Sequence, residues 1–515
     1  MSVFIRPLHS IVDWSQSARE HYRKDHVSRI IPENLWYKKG ITWGLITSAI
    51  PSFRVLPEEA TFDVGGSSVF FKDESDIPFV LGILNSILSL KIFEVTNPTL
   101  NFQVKNIRDI PYLKITNREI IENNSRQAID LSESDWNFYE TSRNFGVNPL
   151  LLNSIKANTL KISWELWSNC CHNKMGELKE LEEKNNRIFI EAYGLQEELS
   201  PEVHEAQITL ARADREKDCQ RLISYAIGCM MGRYSLDRPG LIYAHAGNVD
   251  FDKIYYGTDT PPFEKGGAGG ISPLAQDESQ QQIPPNPPFT KGGTFLTDED
   301  AFPFSKGGTF LPDADGIVPI TDELWFEDDA ANRINEFLLA VWDAETLEEN
   351  RAWLAESLGQ KGNETPQETI RRYIAGSFYK NHLQTYKKRP IYWLFTSGKQ
   401  GAFQALVYLH RYNESTLARM RAEYVVPLTG KIQSRIEMLK KDAAAASSNA
   451  EKSKLDKDID KLGKKYVELL SFDEKLRHYA DLRIQLDLDD GVKVNYGKFG
   501  DLLAEVKAVT GGSND

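Results

Sequence analysis

The chain has 515 residues, of which 41% are hydrophobic and 26% charged, a globular composition with a length that suggests about three domains. Its formal net charge of -13 argues against a protein that coats nucleic acid without selectivity. The four cysteines are too few and too unevenly spaced for a disulfide framework or a zinc site, and no apolar run approaches the roughly 18 residues of a membrane span. We therefore expect a cytoplasmic protein with reduced thiols, no metal and no membrane segment.

The first part of the chain contains strand signals rather than a nucleotide-binding loop. Residues 1–39 are predicted to be an irregular or partly helical lead-in without a Gly-rich phosphate loop. The Asp63-Val64-Gly65-Gly66 stretch is similar to the acidic, Gly-rich loop that holds a methionine-derived cofactor. It lacks the aromatic residue and the alternating glycines of that loop, so a β-turn is expected there. β-branched and aromatic residues predict four strands, at 41–46, 53–56, 61–64 and 69–71.

An amide-rich stretch follows an apolar run. Residues 78–95 predict a buried helix, and a short strand-like run is expected to end at 107–111. Between them, Asn97, Asn101 and Gln103 place three side-chain amides within a few residues. Amides suit bidentate reading of adenine in the major groove, but Asn-Pro and Thr also build turns. Composition alone therefore favours a loop that has no role in reading bases.

The order of short motifs around this loop adds to its interpretation. Five short motifs occur in order along the chain: Gly-Ile-Thr-Trp at 40–43, Phe-Asp-Val-Gly-Gly-Ser-Ser-Val-Phe at 62–70, Leu-Gly-Ile-Leu-Asn-Ser at 81–86, Asn-Pro-Thr-Leu-Asn-Phe-Gln-Val at 97–104 and Ile-Pro-Tyr-Leu at 110–113. They resemble the target-recognition region of PglX-type adenine-specific DNA methyltransferases of phage-exclusion (BREX) systems, which is similar to that of TaqI-like methylases. Segments 134–136, 139–142, 192–195, 221–234 and 388–395 fit the helical part that follows in such enzymes.

This resemblance implies roles for individual residues. Double-stranded DNA is the expected partner, and the candidate base readers are Asn97, Asn101 and Gln103, with Arg54 and Lys105 as neighbours. The family also needs an S-adenosylmethionine pocket and a catalytic Asp/Asn-Pro-Pro-aromatic loop ahead of the recognition region. Neither motif is found in residues 1–40, so we expect no catalytic residue and no cofactor in this chain. A separate methyltransferase catalytic chain or other phage-defence proteins are the expected protein partners.

One segment spells the catalytic motif in an unsuitable context. Asn286-Pro287-Pro288-Phe289 lies among three copies of a short Pro-Phe-x-Lys-Gly-Gly repeat, at 261–267, 287–296 and 302–311. This Pro/Gly/Gln-rich composition predicts a disordered insert over 246–315. An active adenine methyltransferase that uses Asn286 stays as an alternative.

The segment from Ile370 to Lys440 is strongly basic. It contains thirteen Lys and Arg residues against three acidic residues, which makes it a candidate phosphate-binding surface. The alternative is a set of solvated helix faces. The candidate phosphate contacts are Arg371, Arg372, Lys387, Lys388, Arg389 and Lys399.

The C-terminal part is predicted to contain a helical hairpin. Apolar residues recur every three or four positions on both sides of residues 445–450, a pattern typical of two antiparallel helices and of a coiled coil. The nearby Thr396-Ser397-Gly398-Lys399-Gln400 stretch is not a phosphate loop, because the leading glycine is absent and no Ser or Thr follows Lys399.

Together these observations predict an α+β chain that serves sequence-specific DNA recognition for an adenine methyltransferase. A scaffold of the defence complex that does not contact DNA is a further alternative. The predicted divisions are a lead-in (1–39), a recognition region (40–115), a helical domain (116–245), the insert (246–315), a basic helical domain (316–430), the hairpin or coiled coil (431–485) and a C-terminal segment (486–515).

Overall fold

The computed structural model describes Phe4 and residues 12–26, 30–47, 51–97, 99–257 and 310–511. The chain divides into two compact units, Met1–Asp218 and Cys219–Asp515. In the described residues each unit is mainly helical and carries one three-stranded antiparallel sheet. The predicted α+β class is confirmed.

The sheet of the first unit has the strand order β2-β1-β3. The strands are β1 (Gly40–Trp43), β2 (Phe53–Leu56) and β3 (Ser68–Phe70). The strand predicted at 61–64 is wrong, because a short 3-10 turn begins at Val64 and the Asp63 carboxylate accepts the Gly66 N–H at 3.1 Å. The helices are α1 (Gln16–Lys24), α2 (Ile77–Leu84), α3 (Ile87–Thr96), α4 (Val104–Arg108), α5 (Arg118–Trp136) and α6 (Leu160–Ala192).

The single helix predicted over 78–95 is two helices that meet at an angle of 69°. The break lies at Asn85 and Ser86. The Asn85 amide accepts the Phe53 N–H and donates to the Phe53 carbonyl, both at 3.0 Å, so its side chain pairs with β2. Ser86 then caps α3 by accepting the Ser89 N–H. No single helix in the described ranges is long and apolar enough to cross a membrane.

The strand-like run predicted to end at 107–111 is also wrong, because α4 occupies most of it. The N–H of Gln103 donates to the Asn106 side chain at 2.9 Å, which satisfies one donor at the start of this short helix. The last turn contains two basic residues, Lys105 and Arg108, whose positive charges interact favourably with the negative end of the helix dipole.

Close helix packing completes the core of the first unit. At Gly82 of α2 an added Cβ would lie 2.6 Å from the Ser125 hydroxyl of α5, so the position requires glycine. On the same face, the Asn124 amide of α5 donates to Asn185 of α6 at 2.9 Å. Phe79, Phe93 and Phe189 fill the surrounding core.

The second unit is built around a sheet of order β4-β6-β5. Its strands are β4 (Ile317–Pro319), β5 (Tyr392–Thr396) and β6 (Gln404–Tyr408). The helix α7 (Arg215–Met230) contains the boundary between the units. The other helices are α8 (Phe251–Tyr256), α9 (Ala330–Trp342), α10 (Leu347–Ser357), α11 (Pro366–Tyr373), α12 (Tyr379–Thr385), α13 (Thr416–Arg419), α14 (Val426–Ala445), α15 (Asn449–Asp481), α16 (Gly491–Gly497) and α17 (Val506–Thr510).

The predicted hairpin corresponds to α14 and α15, which pack against each other. Their antiparallel direction follows from two contacts: Arg421, just before α14, pairs with Asp473, and Gln433 of α14 contacts Tyr466. The buried residues of α15 are Leu462, Lys465, Leu469, Phe472 and Leu476. Their spacing of three and four residues is that of the a and d positions of a heptad.

The flanks of the predicted insert are ordered. On the N-terminal side, α8 buries Phe251 and Tyr255, and on the C-terminal side Phe310 is buried. The repeats themselves, including Asn286-Pro-Pro-Phe, lie outside the described residues apart from their last positions.

Candidate nucleic-acid interface

The amide-rich loop of the first unit is held by the segment that follows β1. The Thr47 N–H donates to the Leu100 carbonyl at 3.0 Å, and the Phe102 N–H donates to the Leu45 carbonyl at 2.7 Å. The Trp43 indole N–H also donates to the Phe102 carbonyl at 2.9 Å, while the Phe102 ring is buried. The loop therefore has a fixed backbone on the C-terminal side of its tip.

Asn97 serves the internal structure of this loop. Its Nδ2 donates to the Asn101 carbonyl at 3.0 Å, and its Oδ1 accepts the Thr99 hydroxyl at 2.8 Å. Both ends of the amide are engaged within the loop, which is the turn-forming behaviour expected of Asn. An intact loop therefore does not offer Asn97 for bidentate contact with a base.

The other predicted readers differ in exposure. Asn101, Gln103 and Lys105 are exposed on one short segment from the loop tip into α4. Arg54 lies elsewhere, on β2, where it is half-buried and donates to the Ser52 hydroxyl at 2.7 Å. Because Asn97 lies in the same loop, the structure brings four of the five candidates together, and three of them are exposed.

Sequence reasoning missed the apolar side chains beside these amides. Ile46 is 70% exposed, Leu100 59% and Val95 84%. Ile46 forms a β-bridge with Asn101, so apolar and amide groups lie together at the loop tip. Apolar contact with thymine methyl groups accompanies amide readout of bases. The only sequence signal was a single Leu between polar residues.

Two of the six predicted phosphate contacts are engaged by acidic residues. The Arg371 guanidinium is buried and pairs through both of its terminal nitrogens with the fully buried Asp329 carboxylate. Arg372 forms a bidentate pair with Glu364, with distances of 2.7 and 3.0 Å, and holds the pKa of that carboxyl well below its usual range. Arg371 is therefore a structural residue. Because its guanidinium is buried against Asp329, the structure does not support the prediction that it contacts phosphate.

The remaining four cations are exposed and have no ion pair within the described ranges: Lys387, Lys388, Arg389 and Lys399. The first three form a turn between α12 and β5. Lys387 and Lys388 have φ angles of 51° and 62°, a conformation that non-glycine residues rarely adopt. Three consecutive cations are therefore presented together to solvent.

The Thr396–Gln400 stretch is occupied by a carboxylate from α15. Glu468 accepts the Ser397 hydroxyl at 2.7 Å, the Gln400 N–H at 2.7 Å and the Ala402 N–H at 3.2 Å. Gly398 approaches so closely that an added Cβ would lie 2.9 Å from Glu468 Oε2. This loop binds an anion, as phosphate loops do, but the anion is the protein's own side chain.

Comparisons with known proteins identify two homologues of this chain. A scan against models of protein families gives no match. The chain is 39% identical over 501 residues to the adenine-specific methyltransferase BrxX of Escherichia coli, covering 93% of this chain and 37% of BrxX. It is 36% identical over 468 residues to the adenine-specific methyltransferase PglX of Lacticaseibacillus casei, covering 90% and 34%. The chain is homologous to the BrxX and PglX adenine-specific methyltransferases of BREX systems.

The predicted resemblance to PglX-type enzymes is therefore confirmed, and the chain spans about a third of the length of these two relatives. The prediction that this chain holds no S-adenosylmethionine site stays a prediction. Both sheets are antiparallel, and neither has the parallel strand, Gly-rich turn and helix that bind such cofactors.

Metal and thiol chemistry are not indicated by the described parts of the chain. No group of three or more His, Cys, Asp or Glu side chains there is arranged to hold a metal ion. None of the four cysteines forms a disulfide bond, and burial raises the pKa of the Cys171 thiol to about 12. A thiol with so high a pKa is a poor nucleophile at neutral pH.

Proposed function

We propose that this chain recognises a sequence in double-stranded DNA for adenine N6 methylation in a BREX system. Homology to BrxX and PglX supports the family, and the exposed amides on the fixed loop support the recognition role. In this proposal S-adenosylmethionine binding and methyl transfer belong to other parts of the methyltransferase or to a partner chain. The setting is the cytoplasm, where the duplex target is found.

The observation that carries the proposal is the geometry of the loop tip. The side chains of Asn101 and Gln103 are exposed, while backbone bonds to 45–47 fix the chain that carries them. A fixed backbone lowers the entropy lost on binding, and a bidentate amide–adenine contact discriminates between bases by about 1–3 kcal/mol. Lys387, Lys388, Arg389 and Lys399 are proposed as phosphate contacts, which add affinity without sequence information.

Selection from a random duplex library tests the recognition role. The wild-type chain is expected to enrich a defined sequence. The Asn101→Ala/Gln103→Ala double variant is expected to retain weak, salt-sensitive binding but to lose that preference. Gln127→Ala removes an exposed amide from α5 and is the matched control. An unchanged preference in the double variant would show that other residues read the sequence.

Two further measurements separate the alternatives. Calorimetry with S-adenosylmethionine is expected to show no binding, and binding would favour an active methyltransferase that uses Asn286. Gel shifts at low salt are expected to show retarded duplex, and a complete absence of retardation would favour a scaffold that binds only other defence proteins.

A further inference from the structure

Arg233, just after α7, lies among aromatic rings without an acidic partner. Its guanidinium carbon is 5.2 Å from the centre of the Tyr234 ring, 5.9 Å from that of Tyr386 and 6.0 Å from that of Tyr408. Arg233 has no ion pair with any described residue, and its buried Nε–H has no hydrogen-bond acceptor. Its described partners are therefore neutral: the faces of three tyrosine rings and the Tyr408 hydroxyl, to which it donates a hydrogen bond.

A second donor without an acceptor lies in the same aromatic cluster. The buried His382 accepts the N–H groups of Ile391 and Tyr392 at its Nε2, both at 3.1 Å, so its single proton resides on Nδ1. That Nδ1–H has no acceptor. The imidazole lies 4.7 Å from the Tyr386 ring that also faces Arg233. Burial and the Arg233 charge lower the pKa of His382 to about 3, so the ring is neutral at physiological pH.

Two buried arginines of this unit have stronger or more numerous hydrogen-bond acceptors than the half-buried Arg233. Arg411 also lies over an aromatic ring, that of Phe251, yet donates to Asn248, Asp313 and Ala314 at 2.6–3.2 Å. Arg371 has the Asp329 carboxylate. A guanidinium withdrawn from water is strongly destabilising unless such acceptors are supplied. Arg233 donates to the Tyr408 hydroxyl, but it has no carboxylate partner among the described residues and its Nε–H is unpaired.

The basic turn continues directly from this cluster. Lys387, Lys388 and Arg389 follow Tyr386, and the Arg389 N–H donates to the Tyr386 carbonyl at 2.9 Å. These exposed cations add positive charge next to a guanidinium that lacks an anion. We propose that Arg233 and the basic turn 387–389 form a binding site for a phosphate group, framed by the rings of Tyr234, Tyr386 and Tyr408.

The phosphate belongs either to a DNA backbone or to a free nucleotide. Both carry anionic oxygens that can pair with the Arg233 guanidinium. An oxygen of this group, directly or through an ordered water, accepts from the unpaired donors. The site is independent of base reading by the loop of the first unit. It would stand even if the chain had no sequence preference.

Thermal unfolding with inorganic phosphate tests the site without DNA. Sodium phosphate is expected to raise the Tm of the wild-type chain above its value in sodium chloride of equal ionic strength, and Arg233→Gln is expected to abolish that rise. Arg238→Gln is the control, because it removes one exposed positive charge from the same segment. The proposal fails if phosphate has no effect on the wild type, or if both variants lose the rise equally.

A second variant covers the case in which Arg233→Gln does not fold. Lys387→Gln/Lys388→Gln/Arg389→Gln changes only exposed side chains and is expected to weaken phosphate binding at least about tenfold, as followed by phosphorus NMR. Unchanged binding in this variant overturns the role of the basic turn. Titration of the wild type and Arg233→Gln with deoxyadenosine monophosphate and with short duplex identifies the source. A loss confined to duplex indicates a backbone phosphate, and a loss of both indicates a nucleotide site.

Discussion

At the scale of single residues, the charge count of 370–440 could not distinguish cations that face solvent from those that hold the fold. Arg371 and Lys388 belong to the same basic segment in sequence, yet one pairs with a buried carboxylate and the other is exposed. The difference depends on Asp329, which lies far away in the chain and also caps α9 by accepting the Asn332 N–H. Only the tertiary fold brings that carboxylate to Arg371.

Arg371→Met is expected to lower the free energy of unfolding of the second unit by about 3–5 kcal/mol, because it leaves the Asp329 carboxylate buried without its partner. Urea unfolding followed by tryptophan fluorescence measures the change. Arg372→Met breaks a more exposed pair with Glu364 and is expected to have a clearly smaller effect. Equal losses in the two variants would contradict the structural role of Arg371.

Asp315 is expected to make the stability of the second unit depend on pH. Burial, with the neighbouring Asp313 carboxylate, raises its pKa from 3.8 to about 7. Tyr424 donates toward both Asp315 and Asp328, at 2.9 and 3.2 Å, and Arg419 lies 3.6 Å from Asp315. Because the folded-state pKa is raised, the stabilisation from protonated Asp315 is complete below about pH 4 and is lost as the pH rises through 7.

Asp315→Asn keeps the shape of the protonated acid, so it is expected to stabilise the unit by roughly 2–4 kcal/mol at pH 8 and to give little gain at pH 4. Denaturant unfolding across this pH range measures the effect. Asp456→Asn, at an exposed position of α15, is the control. The same gain at both pH values would show that Asp315 does not titrate as described.

At the scale of elements, local patterns predicted the strand at 53–56 and the two helices of the hairpin, because their side chains pack on regular faces. They failed where one polar side chain redirects the backbone. Asn85 divides a continuous apolar run by pairing with Phe53 on β2, and Asn106 starts a helix where a strand was predicted. Such bonds cannot be inferred from hydrophobic spacing.

Glu468 joins two elements, since it lies on α15 and binds the loop between β5 and β6. Glu468→Gln replaces one acceptor oxygen with a donor and leaves a loop donor unpaired, at an expected cost of about 1–3 kcal/mol. Faster hydrogen exchange at the Gln400 and Ala402 amides is the direct readout. Glu474→Gln, at an exposed site on the same helix, is the control. Unchanged exchange would show that the carboxylate does not hold the loop.

At the scale of the whole molecule, the strand and helix patterns and the family resemblance predicted the fold class but only part of the candidate interface. The motifs around the amide-rich loop identified the family, because several of them occur in one order along the chain. Arg233 was missed, because its position among three tyrosine rings joins segments that are more than 150 residues apart in the sequence. In the proposed function, a chain with a net charge of -13 would bind DNA through such local concentrations of positive charge.

The salt dependence of DNA binding measures these local contacts. Each phosphate contact that is lost should reduce the slope of log K against log salt concentration by about 0.9, so Lys387→Gln/Lys388→Gln/Arg389→Gln is expected to lower it by up to about 2.7. Lys440→Gln/Lys441→Gln/Lys452→Gln, at exposed positions of the hairpin, changes the net charge equally and is the matched control. Because both triple variants repel DNA equally at long range, a difference in slope reports direct contact at the basic turn. Equal slopes would place the phosphate contacts of this chain elsewhere.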